Sequence, residues 1–288
     1  MLPYGFNRDG HRYPIASIFH GTSGIVTSET FSYKLRTEIP VTDNNISVHM
    51  REQGFIVFDI NGYGISQMIN AGDIPNPRLH WGCPRVVELV KKAYDILRTV
   101  FHGQEKMAIL GQSMGGAISK SYVWTYPDDV RCVALNAPSE LGFTIRGELS
   151  ESVLAKNVAW SWGYPDVQSM NNDNKERFIG YGGLFTPRRI DADGNLKATT
   201  VNGITVAELR DMDNIHFLDN YALPPMKIWH GDADTNVDVI YTKRLVDTLR
   251  RGGNKCTFRL CPGQPHNLYS VPYVMEETIA FCKSFFTF

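Results

Sequence analysis

Five short apolar runs punctuate the chain: Ile15–Phe19, Phe55–Ile60, Met107–Leu110, Cys132–Leu135 and Met226–Trp229. Continuous apolar runs of this length are what strands buried on both faces look like. Cys256–Leu260 is more alternating and predicts a sixth strand. Between the runs the period changes to that of helices. Val86, Val90, Ala93, Leu97 and Val100 form one stripe, opened by Pro84, and Tyr241, Leu245 and Leu249 form another, ended by Gly252 and Gly253. Met275, Ile279, Cys282 and Phe286 form a third, with Pro272 in its first turn. Strands alternating with helices predict βαβ units, hence an α/β fold with a mostly parallel sheet flanked by helices.

The alternation breaks from about 140 to 222. Turn-forming stretches such as VAWSWGYP, NNDNKERF, GYGGLF and DADGNLK follow one another there, too many for a plain connection. The expected organisation is a core of 1–139 and 223–288 carrying a cap or lid insertion at 140–222.

Composition narrows the functions little. A net charge of −1 over 288 residues gives no electrostatic case for nucleic acid or an anionic membrane, and no apolar run is long enough for a membrane span. The opening MLPYGFNRDGHRYP lacks the apolar stretch of a secretory signal, which reads as cytoplasmic, or as secreted had a signal been removed. Cys83, Cys132, Cys256, Cys261 and Cys282 are odd in number and include no CxxC pair, so they read as reduced thiols rather than disulfides or a zinc site.

The candidate chemistry lies at strand ends, where open α/β sheets bind ligands. Ser113 stands in Gly111-Gln112-Ser113-Met114-Gly115, directly after the third run and before a helical segment. A serine in so sharp a strand-to-helix turn needs neighbours without side chains, so that strand and helix can approach. A G-x-S-x-G string is a weak signal alone; the strand before it and the helix after it strengthen it. A serine hydroxyl is a poor nucleophile at neutral pH and needs a base, usually a histidine held by a carboxylate. Two later strand ends offer these: His230-Gly231-Asp232-Ala233-Asp234 and Pro262-Gly263-Gln264-Pro265-His266-Asn267.

Four stretches together resemble the α/β-hydrolase superfamily, on its esterase and lipase side. YPIASIFHGTSG is similar to the strand and His-Gly that build half of an oxyanion hole, and GFIVFDINGYGIS to the D-x-x-G-x-G-x-S stretch. GQSMGG resembles the nucleophile elbow, and MKIWHGDADTNV followed by PGQPHN the acid and base loops. The resemblance implies Ser113 as nucleophile, His266 as base and Asp234 as the acid that orients it. It implies the backbone N–H groups of Met114 and Thr22 as an oxyanion hole, and no cofactor or metal. Asp232, Asp238 and Glu140 are rival carboxylates, the first two read as turn caps, as is Asp59. His20 and His230 read as loop histidines bonded to backbone. Trp160, Trp162, Tyr164, Tyr181 and Phe185 in the insertion would line a substrate pocket or form the lid's own small core.

Two features depart from the family pattern. Only thirteen residues precede Pro14, so the sheet is expected to lack its first two strands, or to have that edge covered by another domain or subunit, which makes an oligomer through the N-terminal edge an expectation. Asn61 stands where an arginine is common. The function implied is hydrolysis of a carboxylic ester, with small-molecule or polymer-linked esters as partners. A peptidase or amidase, an acyltransferase and, more distantly, a non-catalytic binding or docking module are the alternatives.

Overall fold

The computed structural model describes residues 1–7, 10–21, 46–60, 82, 84–139, 165–166, 168–169, 200–201, 204–205 and 223–288. Six strands form one parallel sheet: β1 (Tyr13–Phe19), β2 (Ile56–Phe58), β3 (Gly103–Gln112), β4 (Val130–Asn136), β7 (Met226–Gly231) and β8 (Cys256–Cys261), in the order β2-β1-β3-β4-β7-β8. A separate antiparallel pair, β5 (Thr200–Val201) and β6 (Ile204–Thr205), falls within the stretch that the sequence leads one to expect as an insertion. All six predicted strands are present. Five are longer than their apolar runs, because backbone pairing continues past the point where side chains stop being apolar; β2, Ile56–Phe58, is shorter than the run Phe55–Ile60.

Both faces of the sheet are covered, which is why the runs are continuous. Ile15, Met107, Ile109, Val133, Leu135 and Ile228 face one layer, built on α2 (Pro84–Val100), α3 (Met114–Thr125) and α4 (Val239–Arg251). Ala16, Ile18, Ala108, Leu110, Cys132, Ala134 and Trp229 face the other, built on α1 (Ile46–Glu52) and α5 (Pro272–Lys283). Successive strand residues therefore point into different cores. At seven residues α1 is too short to register as a helical stripe in the sequence, and it buries only Ile46 and Met50.

Two predicted stripes differ in detail. In α2 the buried residues are Val86, Val87, Val90 and Tyr94, while Val100 is exposed; the Tyr94 hydroxyl donates to the Glu105 carbonyl, which lets the ring turn inward. In α5 the fully buried line is Val274, Thr278 and Cys282, with Met275 and Ile279 only partly covered. Thr278 is tolerated there because its hydroxyl donates to the Val274 carbonyl at 2.7 Å. Cys132, Cys256, Cys261 and Cys282 are buried free thiols; Cys83 lies outside the described residues.

On its outer side β2 carries no further strand among the described residues. Its Val57 instead exchanges two hydrogen bonds with Met1, at 2.6 and 2.9 Å. Among the described residues no helix is long and apolar enough to cross a membrane.

Candidate active site

The chain runs from β1 outward to β2 and then returns to β3 on the other side of β1, so the topological switch point lies between the carboxyl ends of β1 and β3. Such a point is where an open α/β sheet leaves a crevice. Ser113 stands there, between β3 and α3, with φ 54° and ψ −121° and only 8% exposed. A non-glycine residue with φ in this range is strained, and it persists only where the surroundings over-determine it. Those surroundings are the neighbouring glycines. A Cβ on Gly115 would lie 2.0 Å from the Phe19 carbonyl oxygen, and one on Gly111 would lie 2.5 Å from that of Gly115. Gly21, just past β1, packs so closely that its own Cβ would come 3.3 Å from that of Ser113. The Met114 N–H is the first amide of α3 and so lacks an intrahelical acceptor.

The turn after β4 holds the serine from the other side. Ser113 N–H donates to the Asn136 carbonyl (3.2 Å), Ser139 N–H donates to the Ser113 carbonyl (2.9 Å), and the two hydroxyls are 3.4 Å apart. Lys120, on α3 and 1% exposed, donates from Nζ to the Ser139 carbonyl at 2.8 Å. Ser139 and Lys120 were not expected from sequence. The available signal was a single lysine among the small and apolar residues Gly116, Ala117 and Ile118 of a helix that must be buried.

The loops after β7 and β8 bring a carboxylate to a histidine. His266 Nδ1–H donates to Asp234 Oδ2 at 2.7 Å; the Asp234 side chain is fully buried and that of His266 is 17% exposed. Asp234 Oδ1 accepts from the N–H groups of Asn236 (2.8 Å) and Val237 (3.0 Å). Burial works to raise the Asp234 pKa, but the Val237 N–H, His266 and the Asn236 N–H together hold it below the usual carboxylate value. The rival aspartates do other work. Asp232 accepts from Gly263 N–H at 2.6 Å and so ties the two loops together, and Asp238 accepts from Ile240 N–H at the start of α4. The loops cross at Gly231, where a Cβ would lie 2.0 Å from the Gln264 carbonyl oxygen.

Among the described residues the Ser113 hydroxyl is bonded to Ser139 and not to His266. The turns carrying the two residues are joined next door, by Gln112 Nε2–H donating to Asn267 Oδ1 at 3.1 Å. Hydrogen bonds of this kind often tighten only when substrate is bound.

His20 and His230 both make backbone contacts, to the carbonyls of Gly21 (2.6 Å) and Val237 (2.9 Å). Asp59, at the end of β2, accepts from Ile60 N–H at 2.8 Å. Burial pushes its carboxyl up to about 7, against the opposing influence of His20 and of the N–H groups of Ile60 and His20. Thr22, Asn61, Glu140, Trp160, Trp162, Tyr164, Tyr181 and Phe185 lie outside the described residues, as does most of 140–222, the expected insertion. Among the described residues no cluster of three or more His, Cys, Asp or Glu is assembled that would hold a metal ion.

Comparison with known proteins agrees with this architecture. Residues 43–270 match the family described as serine aminopeptidase, S33, and the chain belongs to that family of α/β hydrolases. Among solved structures it is similar to Est1E from Butyrivibrio proteoclasticus with ferulic acid bound, at 15% identity and a TM-score of 0.58, covering 99% of this chain and 93% of that one. It is similar to a puromycin-hydrolyzing peptidase of Mycobacterium tuberculosis, at 15% identity and a TM-score of 0.58, over 98% of this chain but only 35% of that one. An S-formylglutathione hydrolase from Agrobacterium tumefaciens matches at 11% identity and a TM-score of 0.57, over 99% of this chain and 88% of that one. A comparison with curated protein sequences gives no match.

Proposed function

We propose that the protein hydrolyses carboxylic esters through a serine acyl-enzyme, with Ser113 as nucleophile, His266 as general base and acid, and Asp234 orienting the imidazole. The observation that carries this reading is the 2.7 Å bond from His266 Nδ1 to Asp234. That bond fixes the tautomer, leaving Nε2 free of its proton to act on a serine. In the first half-reaction His266 Nε2 takes the Ser113 proton as Oγ bonds to the substrate carbonyl carbon, and the carbonyl oxygen becomes an oxyanion. The Met114 N–H, beside the serine at the head of α3, is the donor this reading assigns to that oxyanion, with Thr22 N–H as its sequence-based partner. Collapse breaks the bond to the alcohol oxygen, which leaves with the proton from His266. Water then attacks the acyl-serine, gives its proton to His266, and releases the acid as Ser113 regains its hydrogen.

Choosing an ester over an amide leans on the resemblance of YPIASIFHG to esterases acting on polymer and carbohydrate esters, and on Est1E having been solved with ferulic acid. The amide alternative takes its support from the family's aminopeptidase description. The test is hydrolysis of p-nitrophenyl acetate, butyrate and octanoate beside an aminoacyl p-nitroanilide, by wild type and Ser113→Ala. Ester turnover at least a hundredfold above the anilide, lost in Ser113→Ala, is the expected result. Preferential anilide cleavage overturns the ester assignment, and activity that survives in Ser113→Ala overturns the nucleophile.

A further inference from the structure

Asp234 is flanked by two histidines. His230, the penultimate residue of β7, has its Nε2 3.1 Å from Asp234 Oδ2, the same oxygen that takes the His266 hydrogen bond, and both side chains are fully buried. The tautomer of His230 follows from its neighbours. Nε2 hydrogen-bonds the Val237 carbonyl at 2.9 Å and lies 3.1 Å from the Asp234 carboxylate, both acceptors, so it carries the hydrogen and shares it between them. Nδ1 faces the Thr242 hydroxyl of α4 at 2.7 Å, a group able to donate. A neutral ring therefore satisfies every contact it makes. The titratable groups facing it among the described side chains are Asp234 on its own loop and His266 on the loop after β8; α4 contributes Thr242, and β8 pairs Leu260 with it in register. Burial is the largest influence on His230 and lowers its pKa, and the nearby His266 adds to that, so the ring stays neutral at neutral pH.

We infer that His230 is a positioning residue for the triad acid: its Nε2–H, shared between the Val237 carbonyl and Asp234 Oδ2, holds that oxygen toward His266 and takes part of its charge. The inference rests on the reading of Ser113, His266 and Asp234 given above. Two consequences follow. With two backbone N–H groups on Oδ1 and two imidazoles on Oδ2, the carboxylate cannot rotate about its χ2 without breaking several bonds. A second donor on Oδ2 also draws off part of that oxygen's negative charge, the charge that faces the His266 ring. A neutral donor suits this task. A second cation against the same carboxylate would be an uncompensated buried charge.

Two substitutions separate this role from that of a core histidine. In His230→Asn the side-chain amide falls near the position of Nδ1, which keeps the Thr242 contact and loses the donor to Asp234. In His230→Gln it falls near Nε2, which keeps the donor to Asp234 and loses Thr242. The readout is the second-order rate of inactivation by diethyl p-nitrophenyl phosphate from pH 5 to 9, with melting temperature recorded at each pH. The probe requires no knowledge of the substrate. His230→Asn is expected to lower the plateau about tenfold, as for one hydrogen bond to a charged group, and to move the acid limb upward by about half a pH unit or more. His230→Gln is expected to keep the acid limb at its wild-type pH even where both variants melt lower. Acid limbs that stay with wild type in both variants, or that move equally in both, overturn the inference. If neither variant folds, Thr242→Val, which loosens the ring without removing it, is expected to give a smaller shift in the same direction, and an unmoved limb overturns it. A wild-type protein that reacts at no pH overturns the triad reading and this inference together. One that reacts through Ser113 while His230→Asn is indifferent overturns only the role of His230.

Discussion

Gly231→Ala tests whether the acid and base loops work as one unit. The Cβ it introduces would lie 2.0 Å from the Gln264 carbonyl oxygen, 2.7 Å from the carbonyl carbon and 2.8 Å from the Pro265 oxygen. Restoring an ordinary contact of about 3.4 Å requires one chain to retreat by about 1.4 Å, and all three obstructing atoms are backbone. The segment that must move carries His266 two residues further on, while Asp234 is fixed three residues after the substituted glycine. A 2.7 Å hydrogen bond does not survive a displacement of that size between its two carriers. Misplacement of a catalytic group by about 1 Å typically costs about a hundredfold in rate. Gly263→Ala is the internal control. It lies in the same base loop with φ +68°, but nothing stands within 4 Å of its Cβ, so it meets only the left-handed backbone penalty of about 1–2 kcal/mol. The assay is the inactivation rate with the same phosphate triester beside a thermal melt for each protein. The expected outcome is a fall of about a hundredfold in Gly231→Ala and of less than about threefold in Gly263→Ala. A folded Gly231→Ala that reacts within threefold of wild type would refute the argument that the crossing of these loops sets the His266–Asp234 geometry.

Two further predictions concern stability. Asp59→Asn is expected to melt higher than wild type at pH 8, with the gap closing toward pH 4. The folded carboxyl at about 7 lies above the ordinary 3.8, so between those pH values the folded state keeps a proton that the unfolded chain has lost. Stability contributed by that proton is present at low pH and declines as pH rises toward 7, and calorimetry showing a pH-independent gap would contradict it. Ile109→Ala, at a fully buried position on the central strand β3, is expected to cost about 2–5 kcal/mol and to lower the melting temperature by about 5–15 °C. Denaturant melts giving less than about 1 kcal/mol would mean that the core there collapses around the gap.

The sequence by itself determined the features that local patterning encodes. Continuous apolar runs gave away five strands buried on both faces, because a strand with helices on either side has no polar face to show, while the sixth, β8 at the sheet's edge, showed as an alternating run. Gly111 and Gly115 marked the sharp turn that holds Ser113, since only residues without side chains leave room where β1, β3 and α3 converge. Single helix faces are less legible: Tyr94 in α2 and Thr278 in α5 are buried although each lies one residue off the apolar stripe. There a hydroxyl found a carbonyl partner and could be buried after all.

Only the tertiary structure decided which atoms meet across sequence distance. Three aspartates stand within seven residues after β7, and their composition alone does not say which one faces a histidine more than thirty residues later. The crossing of two loops over Gly231 assigns that contact to Asp234, and ties Asp232 to Gly263 instead. Ser139 and Lys120 come to Ser113 because β4 lies beside β3, a neighbour relation set by strand order rather than by any motif. His230 is the clearest case. In the sequence it is a histidine at a strand end; in the fold its two ring nitrogens are fixed by Thr242, Val237 and Asp234, contacts that exist only once α4 has packed back against β7.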